Sequence, residues 1–121
     1  MSEVLSDALD REQIDLLLSL DDGEGVAMAE IVKEFLTMSE EERAQLLLAI
    51  GDADLPAVQR AAHTLKGASA NVGACGLADV CADIEAQARQ AEPEGAARLV
   101  GRFEAEYARV RDALRAVGAG S

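Results

Sequence analysis

The sequence predicts an all-α fold: an antiparallel four-helix bundle with short additional helices near the N-terminus. Three observations predict it. No stretch alternates apolar and polar residues with period two, and apolar residues instead recur at helical spacing. Aromatic residues make up only 2% of the 121 residues, so the core must come from Leu, Val, Ile, Ala and Met, which suits close-packed helices. The breaks between amphipathic stretches are short, and short links make consecutive helices antiparallel neighbours. The length allows one core and one domain, residues 1–121, and there is neither a repeat nor a linker.

The elements follow in order. Asp10, with Gln13 at the capping-box position, opens a first helix running to about Leu20, and Asp21-Asp22-Gly23 breaks it. A second helix from about Glu24 buries Met28, Ile31, Val32, Phe35 and Leu36. Ser39-Glu40-Glu41-Glu42 reads as a capping box opening a third, which buries Leu47, Leu48 and Ile50 and ends at Gly51-Asp52. Asp54 caps the fourth, with Pro56 in the first turn, where a missing N–H costs nothing. That helix runs over about 54–72 and stops at Gly73. The fifth runs from about Gly76 to Gln90, with Leu77, Val80, Cys81, Ile84 and Ala88 on one stripe, and Glu92-Pro93 ends it. The last carries Leu99, Phe103, Tyr107, Val110, Leu114 and Val117 as a seam that needs a partner along its length. Residues 118–121 read as a frayed tail.

Charge narrows the function. The formal net charge is −12, which excludes tracking of a nucleic-acid backbone or an anionic membrane. Residues 1–54 carry 15 acidic and 3 basic side chains, whereas residues 55–121 carry 8 of each. Between Leu55 and Ala78, 24 residues, there is no acid at all, while Arg60 and Lys66 lie inside. Such a window marks a place where negative charge is unwelcome. The first residues do not read as a basic, apolar signal peptide, and no apolar run approaches the ~20 residues of a membrane span. Cys75 and Cys81 make no metal pattern and read as small core residues of a reduced, cytoplasmic protein.

The chain has one histidine, His63. On a wheel of 100° per residue, Val58, Ala61, Leu65, Ala68 and Val72 cluster about 180° from it, with Ala62 and Ser69 at the edge of that arc. His63 therefore points away from the core, among Pro56, Gln59, Arg60, Lys66, Gly67 and Ala70. Lys66 at i+3 reaches anything attached to the ring. Gly67 sits mid-helix, where glycine costs about 1 kcal/mol relative to alanine, and close approach by another molecule supplies a reason for it. Neutral imidazole is a good nucleophile near neutral pH, and its phosphoryl adduct is reactive enough to pass the group on. A neighbouring cation disfavours the imidazolium and offsets charge on a transferring phosphoryl group. Carboxylates would repel that group.

The run His63-Thr64-Leu65-Lys66-Gly67-Ala68-Ser69-Ala70-Asn71-Val72-Gly73-Ala74 resembles the signature H-x-L-K-G-[AS]-[AS]-x-x-[LIV]-G-A of the histidine-containing phosphotransfer (HPt) domains of multistep phosphorelays, and meets every position of it. Leu77, Cys81, Ile84 and Glu85 match the family's next helix. The resemblance implies a four-helix bundle and phosphorylation of His63 on its outer nitrogen. It also implies docking on the receiver domains of response regulators and hybrid histidine kinases. Lys66 and Gly67 carry over directly. Glu85, 22 residues past the histidine, stands where the family often has Gln or Glu to orient the ring by a hydrogen bond. Its alternative is a solvated carboxylate beside the seam. Gln59, Arg60, Ala70 and Asn71 are the candidate contacts to a partner, with plain solvation the alternative for Gln59 and Arg60.

The resemblance implies a monomeric carrier with no kinase activity and no cofactor of its own, the Mg2+ belonging to the partner receiver. Two other readings stay open. A histidine-kinase dimerisation fragment typically has an acid directly after the histidine and Pro five residues on; here stand Thr64 and Ala68, and no Gly-rich phosphate loop is present. An adaptor bundle would have lost the motif's role. A stand-alone protein and a domain cut from a hybrid kinase would look alike in sequence.

Overall fold

The computed structural model describes Leu9 and residues 26–120, with side chains described over 29–116 and at Leu9. The predicted helix at Asp10–Leu20 lies outside the described residues. Five helices and no strand occur among the described residues: α1 (Val26–Gly51), α2 (Leu55–Asn71), α3 (Cys75–Arg89), α4 (Pro93–Arg98) and α5 (Val100–Gly120). Links of a few residues turn α2 back on α1, α3 back on α2 and the α4–α5 pair back on α3. α2 packs most extensively on α3, α1 on α2, and α5 closes the ring against α1 and α3. The four long helices form the bundle, with α2 and α5 on its diagonal, and the short α4 leans on α3.

α1 departs from expectation. The two helices predicted across Ser39 are one helix of 26 residues. Neither Gly nor Pro occurs between Val26 and Ile50, so nothing forces a stop there. Ser39 does not act as a cap. It is fully buried, and its hydroxyl lies 3.1 Å from the Tyr107 hydroxyl of α5 and 3.4 Å from the Leu36 carbonyl of its own helix. The buried face shifts with this. Val32 and Phe35 are buried as predicted and Ile31 and Leu36 are partly so, while the side chain of Met28 lies outside the described set. Further along, Leu46 and Ala49 point inward, Leu47 and Ile50 are only partly buried, and Leu48 is 63% exposed. One uninterrupted helical phase from Val32 onward dictates Leu46, where a helix restarted at Ser39 was free to choose Leu47 and Leu48.

α2 begins as predicted. Asp54 accepts from the Ala57 N–H at 3.3 Å and Pro56 sits in the first turn. Gly73, at φ 77°, reverses the chain into α3 in a conformation that costs glycine little. The other two turns place alanine in the same left-handed region, Ala53 at φ 54° and Ala91 at φ 60°. The final helix is interrupted at Leu99, where α4 ends and α5 begins, and its backbone stays helical through Gly120 instead of fraying from 118. Two glycines in that tail lower helix propensity without removing any i→i−4 donor.

The core runs through all of this. Val58, Leu65, Leu77, Val80, Ile84, Phe103, Val110 and Leu114 are fully buried, with Leu9 buried beside them. Truncating one such leucine to alanine typically costs about 2–5 kcal/mol. α1 and α5 are further tied by Arg43, whose guanidinium makes two 2.8 Å bonds to Glu104 and lies 5.7 Å from the Tyr107 ring centroid. The cysteines divide: Cys81 is buried, its thiol pushed up to about 12 by desolvation, whereas Cys75, expected in the core, is exposed at the first residue of α3.

Candidate functional site

α2 turns one face into the bundle and the other outward. Val58, Ala61, Ala62, Leu65 and Ser69 are buried, and Ala68 is partly so. His63 stands on the opposite face with 67% of its side chain exposed. α2 and α3 run side by side, so the outward edge of α3 delivers Glu85 to the same place. The Glu85 side chain is only 6% exposed, yet its carboxylate meets three basic groups. Oε2 lies 2.9 Å from His63 Nδ1 and 3.1 Å from Arg89 Nη2, and Oε1 accepts from Lys66 Nζ at 2.6 Å.

The electrostatics follow from that packing. The hydrogen bond from Lys66 is the largest influence on Glu85 and holds its carboxyl below the usual carboxylate range. Burial pushes the other way, and the His63 bond adds to the effect of Lys66. Glu85 is therefore ionised at neutral pH. An ionised carboxylate only accepts, so Nδ1 of His63 must be the donor. In the neutral ring that is the Nδ1–H tautomer, with the lone pair on Nε2. Nε2 has no hydrogen-bond partner among the described residues.

Two expectations change here. The acid-free window of the sequence is not an acid-free space, because folding brings Glu85 from the next helix onto the ring. Its charge is answered by Lys66 and Arg89, and it sits at Nδ1, on the far side of the ring from Nε2. Lys66, expected to face a group carried on the His63 ring, is bonded to Glu85. Arg89 was not singled out from sequence. The signal for it was there, an acid–base pair at i,i+4 on one helix, Glu85 and Arg89.

The remaining candidates are spread along the outer face of α2. A Cβ built on Gly67 meets no atom within 4 Å, so the glycine serves no internal packing. Gln59, Arg60 and Thr64 line a shallow open depression of about 530 Å3 together with His63, Glu85 and Arg89. Ala70 and Asn71 are exposed but lie outside that depression, Asn71 bordering a separate groove beside Phe35 of α1. Among the described residues no group of three or more His, Cys, Asp or Glu is arranged to hold a metal ion. No helix among them is long and apolar enough to cross a membrane.

The family model of the Hpt domain matches residues 30–113. The chain superposes on histidine-containing phosphotransfer protein B of Pseudomonas aeruginosa PAO1 with a TM-score of 0.86 and 30% identity, covering 94% of this chain and 96% of that one. It also superposes on the histidine-containing phosphotransfer protein ZmHP2 of maize (TM-score 0.85, 23% identity, 96% and 87% covered). MtHPt2 of Medicago truncatula gives 0.83 and 24%, with 96% and 80% covered. These last two likenesses speak for the fold alone. A search of curated protein sequences finds no match.

Proposed function

The chain belongs to the Hpt domain family, the histidine phosphotransfer proteins of two-component signalling, and from that premise we propose that His63 is the residue that carries the phosphoryl group. It takes the group from an aspartyl phosphate of a receiver domain, or from a kinase, and gives it to the aspartate of a response-regulator receiver in a multistep relay. The observation that carries this reading is the ring itself: Nδ1 is tied to a buried carboxylate, which leaves the Nε2 lone pair directed to an exposed face. In-line attack by Nε2 on the phosphorus expels the donor carboxylate. The reverse displacement hands the group to the next one.

Glu85 orients the ring through Nδ1. Lys66, one helical turn away, supplies positive charge near the phosphoryl oxygens as well as to Glu85. Gly67 keeps open the space a receiver needs to close over the ring, which agrees with the empty surroundings of its Cβ. Gln59, Arg60, Ala70 and Asn71 are the proposed contacts to the receiver, which contributes the Mg2+. The chain acts as a monomer in the cytoplasm and has no kinase activity of its own.

The test is transfer of labelled phosphoryl from a phosphorylated receiver. The wild-type protein acquires acid-labile label. His63→Gln acquires none while its helical circular-dichroism spectrum stays the same and its melting temperature nearly so. Acid-labile label on the variant would end this reading.

A further inference from the structure

The partner of His63 is a buried carboxylate, and its charge has a consequence for the proton on the ring. Before reaction Nδ1 carries a proton and Nε2 a lone pair. When Nε2 attacks phosphorus, the N–P bond forms, the donor's P–O bond breaks and the donor carboxylate departs with that electron pair. The ring then holds both a phosphoryl group on Nε2 and a proton on Nδ1, and is cationic. In water such a ring loses the proton as the pH rises. Here Glu85 Oε2 lies 2.9 Å from Nδ1 on a side chain only 6% exposed, and a hydrogen bond from a cationic ring to a carboxylate is stronger than one between neutral groups.

We infer that Glu85 keeps the Nδ1 proton on His63 through the whole cycle, so that the ring takes and gives a phosphoryl group without gaining or losing a proton. On the return step the acceptor carboxylate attacks phosphorus and the N–P electron pair goes back to Nε2. The ring is released as the neutral Nδ1–H imidazole it began as. A protonated ring leaves as a neutral imidazole, whereas a deprotonated one would have to leave as an anion. Glu85 thus makes phosphorylated His63 a ready donor. This rests on the carrier reading above, and it assigns Glu85 a positioning and charge-tuning role beyond holding the ring in place.

The neighbouring cations keep that device from running the other way. Lys66 of α2 bonds Oε1 and Arg89 of α3 stands 3.1 Å from Oε2, so the carboxylate is a weak base and leaves the proton on nitrogen. Arg60, from α2, lines the same depression without bonding Glu85, and no other charged side chain among the described residues bonds Glu85 or the ring. An amide in place of Glu85 still accepts from Nδ1–H but carries no charge. It would also leave Lys66 and Arg89 beside the ring without their counter-charge, both disfavouring a cationic ring.

The experiment is a pH titration of phosphorylated His63 by nitrogen-15 NMR, the full chain being loaded chemically with phosphoramidate. His63 is the single histidine, so a phosphohistidine signal has one possible source. Free phosphohistidine in the same buffer is the reference. The wild-type ring should keep its Nδ1 proton to a pH at least about one unit above the reference. Glu85→Gln should titrate about 1–3 units below the wild type, and its transfer rate to a receiver at pH 8 should fall at least tenfold. Arg89→Gln, a change at an exposed side chain, should move the titration upward by a few tenths of a unit. Its ion pair is weaker than a hydrogen bond, and it keeps the test decisive if Glu85→Gln does not fold. A wild-type ring that titrates with the reference, an unshifted Glu85→Gln or a downward shift in Arg89→Gln would overturn the inference. If the loaded ring keeps its proton but no receiver exchanges phosphoryl with it, the carrier reading falls, and only the hold of Glu85 on the Nδ1 proton survives.

Discussion

Replacing Lys66 with alanine should destabilise the protein by about 1–2 kcal/mol, which is more than an exposed helical lysine ordinarily contributes. An i,i+3 or i,i+4 surface pair contributes only a few tenths of a kcal/mol. Lys66 is different because its partner is buried: Nζ donates at 2.6 Å to Oε1 of a Glu85 side chain that is only 6% exposed. Hydrogen bonds to charged groups contribute about 1.5–3 kcal/mol, and removing one partner leaves the other desolvated. Lys66 itself is 36% exposed, so water screens part of the attraction and replaces some of it after truncation, which brings the figure down to about 1–2 kcal/mol. Chemical denaturation of four proteins at pH 7 tests it: wild type, Lys66→Ala, Glu85→Gln and the double variant. The loss from Lys66→Ala should nearly vanish in the Glu85→Gln background, giving a coupling of about 1 kcal/mol or more. A cost below about 0.3 kcal/mol in the wild-type background, or an equal cost in both, would show that Lys66 is a solvated cation and that its bond to Glu85 contributes nothing.

Other outcomes follow from neighbouring features. Gly67→Gln should hold or raise stability by about 0.5 kcal/mol, since glutamine is the better helix former, while phosphotransfer slows at least tenfold; an unchanged rate would refute the steric role. Because the Glu85 carboxyl lies below its usual range when folded, its contribution is complete above the unfolded value and is lost as pH falls through the folded one. The stability gap between wild type and Glu85→Gln should therefore be constant near neutrality and close in acid, as denaturation midpoints at a series of pH values would reveal. Ala53→Gly and Ala91→Gly should each stabilise by about 0.5–1 kcal/mol, because both alanines hold left-handed backbone; thermal melts that fall instead would show that the turns are not strained.

Much was legible in the chain because it is written locally. The helical period, the Asp54 cap with Pro56 behind it and the stop at Gly73 are decided by residues within a few positions of each other, and all three stand in the structure. The outward placement of His63 follows from one helix's own geometry. Ser39-Glu40-Glu41-Glu42 misled for the same reason. It satisfies a local rule for a helix start, but Ser39 is claimed by Tyr107, 68 residues away, and a helix without a breaker simply continues. Leu46 rather than Leu47 or Leu48 faces the core because α1 keeps one helical phase from Val32 through Ser39, which a helix start read at Ser39 concealed.

The sequence by itself determined the class of fold, from the helical period along the whole chain, and the outward placement of His63 with the small Gly67 beside it, since one helix carries both residues. Only the tertiary structure decided how the His63 ring is held. His63 and Glu85 sit on different helices, and the angle between their helices sets whether a carboxylate meets the ring or the solvent. Packing of α2 on α3 brings Glu85 to 2.9 Å from Nδ1 and makes Lys66 its counter-charge. Charge counted along the chain described a window without acids; charge in space depends on which neighbouring helix face is buried against it.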